Sequence, residues 1–323
     1  MINETRRRVL GSMAAMAAIG NVHAAGYPDR PITVLVPVPA GGTADFLIRT
    51  LSVRASQGLG QQVVMQYRPG ASGSIAEQAI ARSAPDGYSL VLCYTSHAIN
   101  PASMASLPYD TLKDFAPVTL LGKVPLVLAA SANVPASNVA ELIAYGRANP
   151  GALTYGASGL GGAGHLGAEL FALTAGFEMR TVPYKGGSEA LIDLLAGRVS
   201  VMLDTYSVFE EHVASGKLKL LGVSTANRQP FVPDLPPIAS TLPGFEAVAW
   251  WGLLAPAGTP ADVIERLNAE YTASWKNAEN HDRLVKRGWE PGAMDGRQFD
   301  AFIRSEILKW GDVVKKVGFR AAG

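Results

Sequence analysis

The 323-residue chain holds one cysteine, five histidines and no long apolar run, and each scarcity removes a class of protein. A single thiol makes no internal disulfide, and Cys93 lies within the apolar stretch SLVLCYT, where it reads as a small buried hydrophobe without chemistry. Four of the histidines, at positions 97, 165, 212 and 281, are too scattered to gather as metal ligands, so no metal site is expected. Hydrophobic residues make up 48% of the chain, yet no uninterrupted apolar stretch reaches the roughly 18 residues of a membrane span. Lys and Arg number 28 against 27 Asp and Glu, a formal charge of +1 that offers no field for nucleic acid or an anionic membrane. What remains is a globular protein long enough for two domains.

The first 24 residues differ from the rest. Arg6, Arg7 and Arg8 precede a mildly apolar stretch over residues 9–19, and Val22-His23-Ala24 forms a small-x-small cleavage site before Ala25. This pattern predicts a secretory signal over residues 1–24 and delivery to the periplasm. Thr5-Arg6-Arg7-Arg8-Val9-Leu10 resembles a twin-arginine signal, the alternative being an ordinary signal with extra basic residues. Without this segment, which carries three arginines and one glutamate, the formal charge is −1.

Glycine is what the chain has in quantity, 34 residues of it, and two clusters stand out. ITVLVPVPAGGTADFLIRTL (residues 32–51) and ALTYGASGLGGAGHLGAELFALTAG (residues 152–176) each run from an apolar strand through a glycine-rich turn into a helix. Such a turn places unpaired backbone N–H groups and the positive end of a helix dipole where an anion can sit. Neither turn carries Lys, Arg or Cys. The pair, about 120 residues apart, predicts a carboxylate gripped from two sides, with no cofactor.

Strand patterns over residues 32–38, 63–67, 89–94, 126–130, 154–157, 180–184, 200–204, 219–224 and 249–255 alternate with helical ones, which argues for an α/β fold with mainly parallel sheets. The clearest helices are expected over 139–147, 165–175, 189–195, 208–215, 261–275 and 297–317. Pro- and Gly-bearing stretches at residues 121–126 and 231–250 mark crossings between domains. The predicted division is residues 25–124 with 247–323 as one domain and 125–246 as a second inserted into it, one glycine turn in each, facing a shared cleft.

Several motifs together carry a family resemblance. YPDRPITVLVPVPAGGTAD, YRPGASGSIA, APDGYSL, LPYDTLKDFAPV, YGASGLGGAGHLGAELF, VPYKGGSEAL and WGLLAPAGTP occur in the order and spacing of the Bug (TctC-like) solute-binding proteins, the extracytoplasmic component of tripartite tricarboxylate transporters. The resemblance spans essentially the whole chain after the signal. It implies a two-domain, type II-like periplasmic binding protein, monomeric, that closes on a small carboxylate and delivers it to membrane permease subunits. It implies that Pro39, Ala40, Gly41, Gly42, Thr43 and Asp45 form one loop and Ser158, Gly159, Leu160, Gly161, Gly162, Ala163 and His165 the other. Asp45 is better read as stabilising its turn than as touching an anion. Three departures bear on the ligand: Val38 stands where the family has an aromatic, Ala44 where it has a hydroxyl residue, and Gly162 where it has serine.

Outside the loops, Asp204 and Thr205 close a strand facing the cleft, where Asp204 either binds a hydroxyl or ammonium of the ligand or caps the next helix. Thr95-Ser96-His97 is a weaker candidate for the opposite wall, and Tyr184-Lys185-Gly186-Gly187 for a hinge or rim. Trp250 and Trp251, beside a crossing, either pack the core or stack on a ligand. Gly159–Gly164 spells G-x-G-x-x-G after a strand, so an exported NAD(P)-dependent oxidoreductase is the competing reading, weakened because the next strand ends in Tyr184-Lys185 in place of an acidic residue. Gly156-Ala157-Ser158-Gly159-Leu160 falls one glycine short of a hydrolase nucleophile elbow. A receptor that presents its ligand to a sensor is the alternative within the binding class.

Overall fold

The computed structural model describes residues 26–321, so the expected signal segment lies outside the described residues. Strands β1 (Ile32–Val36), β2 (Val63–Tyr67) and β3 (Ser89–Tyr94) pair in parallel, β1 in the middle. The crossovers that parallel pairing requires are supplied by helices α1 (Thr43–Leu59) and α2 (Ser74–Ala81). Helix α1 buries Leu47, Ile48, Leu51, Ala55 and Leu59, at the three- and four-residue spacing that puts them on one face. Helix α3 (Ser96–Ser103) follows β3 directly, with Pro101 inside it.

The 17-residue β4 (Phe115–Ser131) then runs through both halves of the molecule. Its partners are β7 (Val201–Thr205), β8 (Leu218–Val223) and β9 (Val248–Pro256), all antiparallel to it. Residues Phe115 to Pro125 pair with β9, and residues Leu126 to Ser131 pair with β7 and β8. The glycine- and proline-bearing stretch at 121–126 is therefore a change of partners inside one strand, bent by bulges between Pro117 and Thr119 and between Leu120 and Gly122. Fully buried Ser224 ties the two crossings: it exchanges hydrogen bonds with Leu126, whose N–H reaches its Oγ at 2.8 Å, and its carbonyl accepts from Ala247 N–H at 3.1 Å.

Between these crossings lie α4 (Val139–Ala148), β5 (Thr154–Ala157), α5 (Ala163–Ala175), β6 (Arg180–Pro183), α6 (Gly187–Leu195) and α7 (Tyr206–Phe209). Strand β5 pairs in parallel with β6 and β7, so this half repeats the strand–turn–helix plan of the first. After β9 come α8 (Ala261–Lys276), α9 (Ala278–Val285), β10 (Glu290–Met294), which pairs with β4, and α10 (Gly296–Val317). Sheet order is β2-β1-β3-β9-β4-β7-β5-β6.

Three expectations need correction. The sheet is mixed: its outer strands are parallel, but the long strands that cross between the halves run antiparallel, because a chain that leaves and returns traverses the middle in opposite directions. Residues 208–215 form the end of α7 and a 3₁₀ turn with no buried side chain, too little apolar anchorage for a longer helix. Thr95-Ser96-His97 is buried and faces no cleft: Thr95 Oγ1 accepts the Trp250 N–H, and His97 Nδ1 lies 3.0 Å from Glu77 Oε2.

The tryptophans belong to the core. Buried Glu306 on α10 accepts from both Trp250 Nε1 and Trp310 Nε1 at 2.8 Å, and Trp251 packs on Trp289 with ring centroids 4.9 Å apart. Glu306→Leu keeps the volume but leaves two buried indole N–H groups unpaired, each costing about 1–3 kcal/mol. Denaturant unfolding is expected to show a loss of about 2–6 kcal/mol, and a loss below about 1 kcal/mol contradicts the assignment.

Candidate functional site

The first loop leaves β1 at Pro37 and turns into α1 through Gly41 (φ +90°) and the helix N-cap Gly42 (φ −89°, ψ −176°). No side chain caps the helix at Gly42. Asp45, three residues on, reaches back to accept the Gly41 N–H at 2.8 Å, and its other oxygen accepts from Arg49 Nε at 2.7 Å and from the Tyr67 hydroxyl. Burial opposes ionisation of Asp45, but the hydrogen bonds from Tyr67, Gly41 and Arg49 together outweigh it and hold its carboxyl below the ordinary value. Asp45 thus fastens the turn and is itself satisfied. The N–H groups of Thr43 and Ala44, in the first turn of the helix, have no acceptor inside it.

The second loop repeats this geometry with different chemistry. Gly161 has φ +73°, Gly162 is the N-cap at φ −94° and ψ 172°, and no side chain caps α5 there. Here the residue three past the cap is His165, whose Nδ1 accepts the Gly161 N–H at 3.3 Å. Nδ1 is therefore unprotonated and the ring neutral, with its hydrogen on Nε2. Burial lowers the affinity of the imidazole for a second proton, opposed by Glu169, whose Oε1 lies 3.8 Å from Nε2. The Ala163 and Gly164 N–H groups are left without helical acceptors.

The two loops meet near the end of β7. Thr43 Oγ1 stands 3.3 Å from Thr205 Oγ1, and Ser72 Oγ donates to the Leu160 carbonyl at 3.2 Å. Asp204 Oδ1 accepts the Thr205 N–H at 2.7 Å, whereas Oδ2 is buried without a hydrogen-bond partner among the described residues. Burial raises the Asp204 pKa, and the Thr205 hydrogen bonds and the nearby Ser158 hydroxyl only partly offset it. Helix α7 has no side-chain cap, so Asp204 does not cap it. A Cβ built on Gly187 would lie 3.3 Å from Asp204 Oδ2, which places the start of α6, with its own glycine N-cap Gly186, beside the free oxygen.

The structure thus gathers Gly41, Gly42, Thr43, Asp45, Ser158, Gly161, Gly162, Ala163, His165, Asp204 and Thr205 around the meeting of the halves, with Pro39, Ala40 and Gly159 exposed on the loops. The α6 N-terminus, expected at Tyr184-Lys185-Gly186-Gly187 as a hinge or rim, lies beside Asp204, and two neighbours were not expected: the turn at residues 70–73, and Phe319, which lies edge-on to His165 at 4.7 Å. The glycine pair Gly186-Gly187 before an apolar helical pattern was the available signal for that N-terminus. Of the three departures, Ala44 turns its side chain into the core, so a missing hydroxyl there says little about the cleft. A groove of about 840 Å³ extends from Gly42 and Thr43 between α1 and α6, with Phe46, Leu191, Ile192 and Val208 among its walls.

Known proteins share this sequence pattern and fold. The sequence matches the profile of the tripartite tricarboxylate transporter family receptor over residues 47–319. The chain belongs to that family. BugT of Bordetella pertussis is 36% identical to this Bug-type chain over 314 residues, 96% of each protein. A solved R. palustris protein with adipate superposes with a TM-score of 0.85 at 36% identity, covering 91% of this chain and 99% of its own. The periplasmic binding protein BugD gives 0.82 at 31%, covering 91% and 99%. The fold is accordingly the two-domain periplasmic binding protein fold, its cleft between the domains, and the chain is a solute-binding receptor of this family.

The His165 bond has a pH signature. Because the folded chain resists protonating His165, the unfolded chain binds more protons below the ordinary value of 6.5, so stability falls as pH drops through that point. Thermal melts from pH 7.5 to 5.0 are expected to show a steeper loss in the wild type than in His165→Gln, which keeps an acceptor but does not titrate. Parallel curves contradict the neutral-acceptor role.

Proposed function

We propose that this receptor is exported to the periplasm, captures a small carboxylate between the loops at residues 39–45 and 158–165, and delivers it to the permease subunits of a tripartite tricarboxylate-type transporter. The observation that carries the reading is the repeated loop: each of two helix N-termini has its turn glycine N–H already bonded by the residue three past the cap and its next N–H groups free of helical acceptors, and the loops lie beside the Thr43–Thr205 and Ser72–Leu160 contacts. Charge-assisted hydrogen bonds to a carboxylate satisfy those donors, and closing the cleft strengthens them by removing water. Membership of a receptor family weighs against the oxidoreductase and hydrolase readings of the second loop.

The bodies that close are residues 25–124 with 247–323 and residues 125–246. The change of partners in β4 after Pro125 and the return of the chain at Ala247 support this division. Asp204 takes the polar role beside the loops, its free Oδ2 accepting from a hydroxyl or ammonium of the ligand or, when protonated, donating to a second carboxylate. The ligand class is an aromatic or medium-chain carboxylate. Val38 and Gly162 remove a flat wall and a hydroxyl donor, the groove beyond Thr43 has Phe46, Leu191, Ile192 and Val208 in walls that also carry Arg49, Arg283 and Arg287, and a 36% identical structure holds adipate, a medium-chain dicarboxylate. Buried apolar area at about 25 cal/mol per Å² offsets lost polar contacts worth about 0.5–1.5 kcal/mol each.

Calorimetric titration of the protein lacking residues 1–24 tests both parts. Adipate or an aromatic carboxylate is expected to bind more tightly than malate or citrate; the reverse order contradicts the ligand class. Gly42 and Gly162 adopt extended backbone with room for a side chain, so Gly42→Val and Gly162→Val test occlusion without backbone strain. Each is expected to weaken binding at least about tenfold, roughly 1.4 kcal/mol, with the melting curve little changed. Unaltered affinity in both folded variants rules out the loops as the site.

A further inference from the structure

The second loop is held from outside its own domain on two sides. Beyond α10 the chain turns at Gly318 (φ +68°) and lays the Phe319 ring edge-on against His165, centroids 4.7 Å apart. The same ring flanks Gly161, where a Cβ would meet it at 3.6 Å. The segment is pinned to α3: Arg320 donates to the Ala102 carbonyl and the Ala321 N–H to the Ser103 carbonyl, each at 3.0 Å. On the other side stands the YRPGASGSIA motif, which no role in the function has absorbed. Four consecutive residues there have positive φ: Gly70 at 135°, Ala71 at 44°, Ser72 at 50° and Gly73 at 90°. Left-handed backbone at two non-glycine residues persists only where the surroundings impose it. Here Asn100 of α3 donates to the Ser72 carbonyl at 3.1 Å, and the Ser72 hydroxyl reaches the Leu160 carbonyl at 3.2 Å.

We propose that Phe319 and Ser72 are positioning residues of the second loop: Phe319 fixes the His165 ring so that Nδ1 holds the Gly161 N–H, Ser72 fixes the Leu160 carbonyl, and together they aim the free Ala163 and Gly164 N–H groups. This rests on the carboxylate site proposed above. A neutral imidazole accepts the Gly161 N–H and an imidazolium cannot, so a ring exposed to water makes the loop sensitive to pH near neutrality. The titratable groups around it are Glu169 on its own helix, Tyr155 stacked beside it from β5, and Asp204 of β7, whose charge acts on Tyr155; Arg320 of the Phe319 segment is engaged with Ala102.

Adipate titrations at pH 6 and 8, and NMR titration of the His165 imidazole and Gly161 amide in ligand-free protein, test the proposal. In Phe319→Ala the imidazole is expected to titrate near 6.5, the Gly161 amide to move upfield below that pH, and adipate affinity to fall about tenfold at pH 6 but less at pH 8. Phe319→Tyr is expected to restore all three. Ser72→Gly relieves the left-handed strain while removing the hydroxyl, so it is expected to melt at or above the wild-type temperature and still bind adipate several-fold more weakly. An unchanged imidazole titration and Gly161 amide in folded Phe319→Ala overturn the proposal, as does tighter adipate binding at pH 6, which would put an imidazolium on the ligand. If wild-type protein binds no carboxylate, the carboxylate reading fails while the ligand-free spectra still decide the positioning role.

Discussion

A hydrogen bond from a left-handed glycine back to the third residue of the following helix shapes both loops, and the rest of the site depends on it. It consumes the one N–H that points back along the turn, fixes the glycine at positive φ, and leaves the next N–H groups facing outward with the helix dipole behind them. The acceptor is a carboxylate in one loop and an imidazole in the other. A bare carboxylate beside the first turn would repel an incoming anion, yet Asp45 is compensated by Arg49 and Tyr67. The neutral His165 adds no opposing charge. Both N-termini therefore remain attractive to an anion even though neither loop carries a Lys or Arg.

The two halves meet at several points. The halves are joined through β4, the return into β9 and the Ser224 hydrogen bonds. Away from these they touch through the polar contacts of Thr43 with Thr205 and Ser72 with Leu160 and through Phe319, which packs edge-on against His165.

The loops and outer strands were legible in the sequence because their signals are local: apolar runs such as ITVLV end at glycines that only a turn accommodates. What was hidden depends on distant partners. The stretch at residues 121–126 read as a crossing between domains, yet β4 continues through Gly122 and Pro125 because β9 and β10 supply partners and bulges absorb the irregularities. Pro291 and Gly292 concealed β10, and Pro101 concealed α3. Asp45 and His165 share no chemistry, so their common role appears only when both backbones are seen to take the same turn. Phe319 lies 154 positions from His165, with no local pattern to mark it.

The central claim is that the free N–H groups of two helix N-termini hold one carboxylate. Amide ¹H–¹⁵N spectra of deuterated protein titrated with adipate test it residue by residue. Downfield shifts are expected at Thr43, Ala44, Ala163 and Gly164, with Gly41 and Gly161, already bonded to Asp45 and His165, nearly unmoved. Saturable binding with those four amides unshifted would place the carboxylate elsewhere and contradict it.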